Sequence, residues 1–534
     1  MGPRAWLAIL FVALAGCAAG PPDAEIVPHI QRLQGAAAVG GETLEEPASV
    51  RKFYEARGFK PAWLDRADGV VKAIGAMHAD GLDPAGYHLE AIQSRLEKRE
   101  RTAESEAILD LLLADAVASM ADDVRYGRVV PSQVNSAWNV DPREGASSLD
   151  STLGVIAKAS SVERAIDEQR PQHFIYRGLV SALQRLRQID QQGGWPRVPS
   201  GRSLSAKAVD PRIATVRRRL ALSGEYTSRA PADSNRYDPD LVRAVKIFQV
   251  RHRLKETGVI DQATTDALNV DAKSRAAQVR ANLERARWVL SGLGQDFLLV
   301  NLPAFKAYLI RGNKNVWEAR TQIGEEAMQT PTFRAPIRTI VFNPDWSVPE
   351  SILREEIIAQ MRKGDNVIQR QGLVIYDASN NVVDPSSIDW ANADSTDFPY
   401  TLKQPPGDDN ALGKVKFLFP NKYAIYLHDT PNQRLFEANR RTFSHGCIRI
   451  ENAIDLAERL LQGQDEWNRT RIQQAIAQGS TMDVPVGTNL PILIVYWTVS
   501  VGYSGEVRYA EDIYKLDAPL LAALDRRSPR PSTP

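Results

Sequence analysis

The hydrophobic pattern of this chain changes from a helical period to a strand period, and this change limits the folds that it can adopt. In the first part apolar residues recur at three- and four-residue intervals, as in Leu109, Leu112, Leu113, Ala116 and Met120. From residue 297 short apolar stretches alternate with turns, as at 297–302 and 305–310. The first pattern is typical of amphipathic helices and the second of strands. Because 534 residues are also more than one hydrophobic core normally organises, the sequence predicts a multidomain α+β protein.

Breaks in composition divide the chain further. We predict a tether over 17–45, where glycine, proline and alanine are frequent, and a mostly helical domain over 46–200. Three short amphipathic helices follow within 205–270, and a mostly β domain spans 276–515. A long polar segment at about 347–405 interrupts the strands of that domain, and such an insertion predicts a lid.

The two ends of the chain carry segments that differ from the globular body. Residues 1–16 combine a weakly basic start with a short apolar run, which predicts a secretory signal peptide. Leu14-Ala15-Gly16-Cys17 resembles the bacterial lipobox, which implies a lipid on Cys17, although a plain signal peptide with an incidental cysteine is the alternative. Residues 526–534 are predicted to form a disordered tail. The net charge of +1 offers no field that would attract nucleic acid.

The segment at 205–270 contains three short motifs in a fixed order. They are Phe248-Gln249, Gly-Val-Ile-Asp at 258–261 and Thr-x-x-Ala-Leu ending at Leu268. Their order and spacing resemble those of the three-helix peptidoglycan-binding domain. A generic three-helix bundle remains the alternative for this segment.

The residues with chemical potential are concentrated around Cys447, in the run Ser444-His445-Gly446-Cys447. Cys17 is the other cysteine and lies in the targeting segment, so Cys447 has no disulfide partner within the mature chain. Alternation places Cys447 and Arg449 on the same face of a predicted strand. His428 stands at the end of another strand, predicted over 423–428.

A catalytic cysteine needs a base or a cation nearby, because only the thiolate is a strong nucleophile. We expect His428 to be that base and His445 to orient the group or shape the turn. The amides of Gly446 and Cys447 can form an oxyanion hole, and Arg449 can bind a carboxylate. The alternatives are a structural cysteine, a zinc site formed by His428, His445 and Cys447, and a structural ion pair for Arg449.

These residues match the catalytic signature of the L,D-transpeptidase (YkuD) family. Further motifs at 404–407, 410–413, 416–421 and 426–431 are similar to its large YcbB-like branch, in which a helical scaffold domain, a peptidoglycan-binding domain and a lid accompany the catalytic domain. The fold class implied is therefore a helical N-terminal scaffold domain, a three-helix peptidoglycan-binding domain and a mostly β YkuD-type domain. One departure is Asp408, where a proline is common.

The resemblance implies a transferase that makes 3→3 diaminopimelate cross-links. Cys447 would attack a donor tetrapeptide stem and release D-alanine, and an acceptor amine would resolve the thioester with His428 moving the protons. His445 and Ser444 would support the site and Arg449 would hold a stem carboxylate, with no cofactor and no metal. Peptidoglycan stems would be the partners, in the periplasm, with a lipid anchor in the inner or outer membrane and sensitivity to carbapenems.

The sequence does not determine which acceptor takes the acyl group from Cys447. Capture of the acyl group by water would make an L,D-carboxypeptidase, and capture by a lysine would attach a protein to the wall. A non-catalytic peptidoglycan-binding scaffold is the alternative from a different class. Neither the protein partners nor the lid residues that contact substrate follow from the sequence.

Overall fold

The computed structural model describes residues 23–98, 101–229, 234–393 and 397–526. They form two compact units: one contains residues up to Arg128, residues 142–184 and those from Leu521, and the other contains 129–141 and 185–520. The predicted signal peptide and Cys17 lie outside the described residues, as does the predicted tail beyond Arg526.

Helices dominate the chain before residue 292. They are α1 (Asp23–Leu33), α2 (Pro47–Ala56), α3 (Ala67–Ala76), α4 (Leu89–Leu96), α5 (Ala103–Tyr126), α6 (Pro131–Val134), α7 (Leu149–Ile156), α8 (Val162–Asp167), α9 (Phe174–Gln191), α10 (Arg212–Ser223), α11 (Pro239–Arg251), α12 (Gln262–Asn269) and α13 (Ala272–Leu290). A short hairpin joins strands β1 (Ala38–Val39) and β2 (Glu42–Thr43).

Helix α5 is the centre of the first unit, and all of its acidic residues except Glu104 are buried. The Asp110 carboxylate accepts backbone N–H groups of Ala62, Trp63 and Leu64 and the hydroxyl of Tyr54. Burial raises the pKa of Asp110 to about 6. Buried carboxylates are tolerated when hydrogen bonds satisfy them, so this one serves to fix a loop rather than to do chemistry.

The structure differs from the predicted tether over 17–45. Residues 23–33 form α1, whose Ile26 and Ile30 are fully buried and which packs on α5. The carboxylate of Asp115 on α5 also accepts the N–H groups of Glu45 and Glu46. An apolar residue every fourth position lets this segment bury one face, so composition alone was misleading here.

The segment at 205–270 folds as predicted, with the helices α10, α11 and α12 around one core that contains Phe248. The Gln249 side chain explains the Phe-Gln motif: its oxygen accepts the N–H groups of Thr257 and Gly258, and its nitrogen donates to the Val259 carbonyl. One buried amide therefore holds the loop that leads into α12.

Strands organise the rest of the chain. They are β3 (Phe297–Asn301), β4 (Lys306–Arg311), β5 (Lys314–Gly324), β6 (Phe333–Pro336), β7 (Thr339–Phe342), β8 (Trp346–Ser347), β9 (Val374–Tyr376), β10 (Val382–Val383), β11 (Thr401–Gln404), β12 (Val415–Leu418), β13 (Leu427–His428), β14 (Thr442–Ser444), β15 (Ile448–Ile450), β16 (Met482–Pro485), β17 (Pro491–Val495), β18 (Val499–Val501) and β19 (Val507–Tyr509). The helices are α14 (Glu350–Ile352), α15 (Ile358–Arg362), α16 (Val367–Arg370), α17 (Ala453–Leu460), α18 (Arg469–Ala477) and α19 (Asp517–Leu524).

Eleven strands form one sheet in the order β16-β7-β12-β13-β15-β5-β4-β3-β17-β6, with β14 also paired to β5. The strands β3 and β4 confirm the two predicted at the start of the domain, and strand β3 is buried along its whole length. Strands β13 and β15 are parallel neighbours in the middle of the sheet. The topology therefore brings the ends of two chemistry-bearing segments together.

The predicted insertion forms a small body of its own. Strands β8 to β11 make a separate sheet in the order β10-β9-β11-β8. Helices α14 to α16, a π-helical turn at Leu353–Ile357 and these strands share a core that includes Ile358 and Ile375. Because this core is separate from the main sheet, the insertion can fold as one element.

Candidate active site

His428 ends the short strand β13 and is buried, with 4% of its surface exposed. The strand predicted over 423–428 is too long, because only Leu427 and His428 pair in the sheet. Ala424 has a left-handed φ of 54°, and the Asn421 side-chain oxygen accepts the N–H groups of Tyr423 and Ile425. This local hydrogen bonding replaces strand pairing with a loop.

The hydrogen bonding of His428 leaves one ring nitrogen ready to accept a proton. Its Nδ1 lies 2.6 Å from the backbone carbonyl of Asp429. A carbonyl only accepts, so Nδ1 carries the hydrogen and Nε2 carries the lone pair. Burial, with Arg449 and Lys416 nearby, lowers the pKa of His428 to about 3. The imidazole is therefore neutral at physiological pH, as a general base must be.

Cys447 lies in the turn between β14 and β15 and is partly exposed. Its Sγ lies 3.8 Å from the Ala424 carbonyl. Among the described residues no hydrogen bond joins it to His428. Leu427 pairs with Ile448 and His428 with Arg449, so Cys447 faces the same side of the sheet as His428. Burial raises the pKa of the Cys447 thiol, and a protonated thiol beside a neutral imidazole suits deprotonation by a general base.

Tyr426 is a neighbour of Cys447 that the sequence interpretation missed. Its hydroxyl donates a hydrogen bond to the sulfur, which lowers the pKa of the thiol against the effect of burial. The hydroxyl also accepts a hydrogen bond from Trp346 at the start of the insertion. The Lys416 Nζ lies 4.0 Å from the centre of the Tyr426 ring. The alternation of Tyr426 with His428 is the one sequence signal for this contact.

The side chain of Ser444 holds the turn before Cys447. The Ser444 Oγ donates to the Cys447 carbonyl at 2.5 Å and accepts the Gly446 N–H at 3.2 Å. Gly446 has a φ of 109°, a conformation that glycine adopts without strain. Ser444 and Gly446 thus shape the turn.

Thr330 links this turn to the end of β5, and the sequence interpretation also missed it. Its buried hydroxyl accepts the Gly324 N–H at 2.9 Å and donates to the Gly446 carbonyl at 2.8 Å. In a trans peptide the C=O and N–H point in opposite directions. Holding the Gly446 carbonyl against Thr330 therefore turns the Cys447 N–H away from it, and that N–H contacts no acceptor within the described residues. Such a free N–H is suited to an oxyanion.

His445 contacts the insertion rather than the thiol. Its Nε2 forms an ion-pair contact with Glu356 of the π-helical turn, and both side chains are partly exposed. The prediction that His445 orients the catalytic group stays open, while this contact joins the insertion to the turn that carries Cys447.

Arg449 has no carboxylate partner among the described residues, contrary to the structural ion pair considered above. Its Nη1 donates to the Gln322 side-chain oxygen at 3.2 Å and the Phe443 carbonyl at 3.3 Å. Its Nε is buried without a hydrogen-bond partner. The guanidinium thus keeps donors for an anionic ligand. Across the described ranges no group of three or more His, Cys, Asp or Glu residues is placed to hold a metal ion.

A neutral histidine, a thiol and a guanidinium thus share one face of a curled sheet, and comparison with known families agrees with that chemistry. The family model for the L,D-transpeptidase catalytic domain, YkuD, matches residues 295–489. The chain carries a YkuD L,D-transpeptidase domain. A scaffold domain matches 48–183 and a peptidoglycan-binding domain matches 209–268. These matches confirm the three domains and the multidomain fold class predicted from the sequence.

A curated relative and two solved structures are similar to parts of this chain. A Haemophilus influenzae protein named "Putative L,D-transpeptidase" is 36% identical over 220 residues, which cover 41% of this chain and 44% of that protein. The chain thus spans less than half of the length of this relative. An L,D-transpeptidase structure from Xylanimonas cellulosilytica is 12% identical, with 55% of this chain and 98% of that chain covered and a TM-score of 0.16. A fused Zn-dependent amidase/peptidase/peptidoglycan-binding domain-containing protein from Clostridium acetobutylicum is 13% identical, with 55% and 100% covered and a TM-score of 0.15.

None of the helices in the described part of the chain combines the length and the apolar character that crossing a bilayer requires.

Proposed function

We propose that this L,D-transpeptidase forms 3→3 cross-links between diaminopimelate residues of peptidoglycan stems through a thioester on Cys447. The thiol proton passes to Nε2 of His428 while Sγ attacks the carbonyl of the L-centre of diaminopimelate in a donor tetrapeptide. The amide C–N bond then breaks, and D-alanine leaves with the proton from His428. The side-chain amine of a second stem attacks the thioester and gives its proton to His428, and the released thiolate then regains a proton.

The observation that carries this proposal is the state of His428 beside a partly exposed thiol. Its Nδ1 is committed to the Asp429 carbonyl, and its pKa of about 3 keeps Nε2 unprotonated. Both groups lie on the same face of the sheet. No hydrogen bond joins them among the described residues, and catalytic groups often come into hydrogen-bond contact only when substrate is bound.

The neighbouring groups have supporting roles in this proposal. The Cys447 N–H, set by Ser444 and Gly446, receives the negative charge of the tetrahedral intermediate. Tyr426 donates to the sulfur and so stabilises the developing thiolate. Arg449 binds a stem carboxylate, and His445 orients the turn through its contact with the insertion. Because one amide is exchanged for another, no cofactor is required.

The domain composition supports action in the cell envelope. Both the catalytic and the peptidoglycan-binding domains belong to families that act on the wall. We propose a periplasmic location with a lipid anchor on Cys17 in the inner or outer membrane. Metabolic labelling with a fatty acid would test the anchor, because replacing Cys17 with serine should abolish the label.

The acceptor distinguishes the remaining alternatives, and one experiment separates them. The purified protein is incubated with disaccharide-tetrapeptide, and the products are analysed by mass spectrometry. Dimers joined 3→3 support transpeptidation, whereas tripeptide alone supports an L,D-carboxypeptidase. Transfer to an added lysine-ended peptide in place of a stem supports protein attachment. No turnover by the folded protein supports a non-catalytic scaffold and contradicts the proposal.

A further inference from the structure

Three residues on neighbouring strands form a row across the face that carries the thiol. Lys416 on β12 pairs with His428 on β13, and His428 pairs with Arg449 on β15. Paired residues point to the same face of a sheet, and neighbouring strands lie about 4.8 Å apart. Lys416 and Arg449 therefore flank the imidazole from opposite sides, with their backbones about 10 Å apart.

Lys416 turns toward the nucleophile and is not neutralised there. Its Nζ lies 4.0 Å from the centre of the Tyr426 ring, and the hydroxyl of Tyr426 contacts the Cys447 sulfur. Partial burial lowers the pKa of Lys416, while Asp345 and Asp483 act on it only through space. No carboxylate lies within ion-pair distance of this ammonium in the described part of the chain.

Arg449 is in the same situation on the other side of His428, since its Nη1 donates to neutral oxygens only. Charged side chains removed from water are normally paired. Two cations that form no ion pair in the described residues, placed on either side of a catalytic base, therefore indicate an anionic ligand that reaches both sides. A donor stem that ends in diaminopimelate and D-alanine has this chemistry, because it carries one carboxylate on the leaving D-alanine and one at the far end of the diaminopimelate side chain.

We propose that Lys416 is a second carboxylate-binding residue, so that Lys416 and Arg449 each bind one of these two carboxylates and hold the scissile carbonyl between them at Cys447. This inference rests on the proposed function and deepens it by specifying which features of the donor are recognised. A stem with either carboxylate blocked is then a poor donor. In this proposal Lys416 does not bind the acceptor amine.

The test compares Lys416→Met with the wild-type protein on three donors: the disaccharide-tetrapeptide, the same donor with its D-alanine carboxylate amidated, and one with its distal diaminopimelate carboxylate amidated. Methionine keeps the apolar stem of the side chain. We expect KM for the unmodified donor to rise about tenfold or more, as for the loss of a hydrogen bond to a charged group. The variant and the wild type should have equal KM on one of the two amidated donors, which identifies the carboxylate that Lys416 binds. Lys416→Arg should restore most of the affinity.

Lys306→Met is the matched control, because Lys306 lies in the same sheet and its ammonium forms an ion pair with Glu318. It should leave KM unchanged. The rate of Cys447 alkylation by neutral iodoacetamide against pH separates carboxylate binding from tuning of the thiol. An unchanged alkylation profile with a raised KM supports the inference. A shifted alkylation profile in Lys416→Met, with kcat reduced equally on all three donors, overturns the inference. A KM of Lys416→Met equal to that of the wild type on the unmodified donor also overturns it. If the wild-type protein itself forms no acyl-enzyme, it is the proposed function that fails.

Discussion

Replacing Thr330 with valine removes the hydroxyl that joins β5 to the turn before Cys447, while the side-chain shape is conserved. Thr330 is 2% exposed, and its hydroxyl is the partner of both the Gly324 N–H and the Gly446 carbonyl. Leaving both groups without a partner costs about 1–3 kcal/mol for each. We therefore expect a lower urea midpoint and a less constrained orientation of the peptide unit between Gly446 and Cys447.

In Thr330→Val the loss of kcat should exceed any change in the reactivity of the Cys447 thiol. If the Cys447 N–H is no longer aimed at the oxyanion, kcat for D-alanine release should fall by about 10²–10³, as on removal of one oxyanion-hole donor. Alkylation of Cys447 by iodoacetamide forms no oxyanion, so its rate should remain that of the wild type. Thr330→Ser keeps the hydroxyl and loses one methyl group, about 0.8 kcal/mol of stability, and should keep most of the activity.

The two assays are run on the same folded preparations, whose secondary structure is checked by circular dichroism. Wild-type kcat in Thr330→Val would refute the reasoning. An equal fall in alkylation and in D-alanine release would show that the variant displaces the thiol as a whole, and the oxyanion explanation would then be wrong.

Three further predictions follow from the site. Because the pKa of His428 is lowered to about 3, its neutral form persists above that pH, so kcat/KM for D-alanine release should show no loss of activity near the usual histidine pKa of about 6.5; an acid limb there in stopped-flow data would contradict the neutral base. Glu356→Ala removes the side-chain contact to His445, which is worth about 0.2–1 kcal/mol for a partly exposed pair, so hydrogen exchange of residues 350–362 should accelerate modestly. Glu355→Ala is the matched control, and equal exchange in both variants would show that this contact does not hold the insertion. Gly446→Ala forces a non-glycine residue to a φ of 109° with its Cβ 3.2 Å from the Ile425 side chain. The strain should cost about 1–3 kcal/mol and lower activity, so wild-type activity in that variant would show that the turn is not strained.

Sequence periodicity identified the parts of this fold whose pattern is local. In the three helices around Phe248, apolar residues recur at the spacing of a helix. Strands β3 and β4 are apolar runs bounded by a turn. Alternation also placed Cys447 and Arg449 on one face, which the pairing of β15 with β13 extends to His428. The periodicity and the alternation need only neighbours within one element, whereas the pairing of β13 with β15 is a finding of the structure.

The remaining features depend on contacts between distant segments, which no local pattern contains. The Thr330 hydroxyl meets a carbonyl 116 residues away in the chain. Ile26 and Ile30 are buried only because α5 offers them a face. The strand predicted at 423–428 is shortened by the side chain of Asn421, whose hydrogen bonds compete with the sheet. A composition rich in alanine and glycine therefore concealed a helix, and an alternating pattern concealed a loop.

The measurement that tests the central claim most directly is the mass of the intact protein during turnover. The wild-type protein and Cys447→Ala are mixed with disaccharide-tetrapeptide, quenched in acid and analysed by mass spectrometry, followed by peptide mapping. We predict that the wild type gains the mass of a disaccharide-tripeptide acyl group, located on the peptide that contains Cys447 and removed by hydroxylamine, and that the variant gains none. An adduct on another residue, or 3→3 dimers made by Cys447→Ala, would contradict the account.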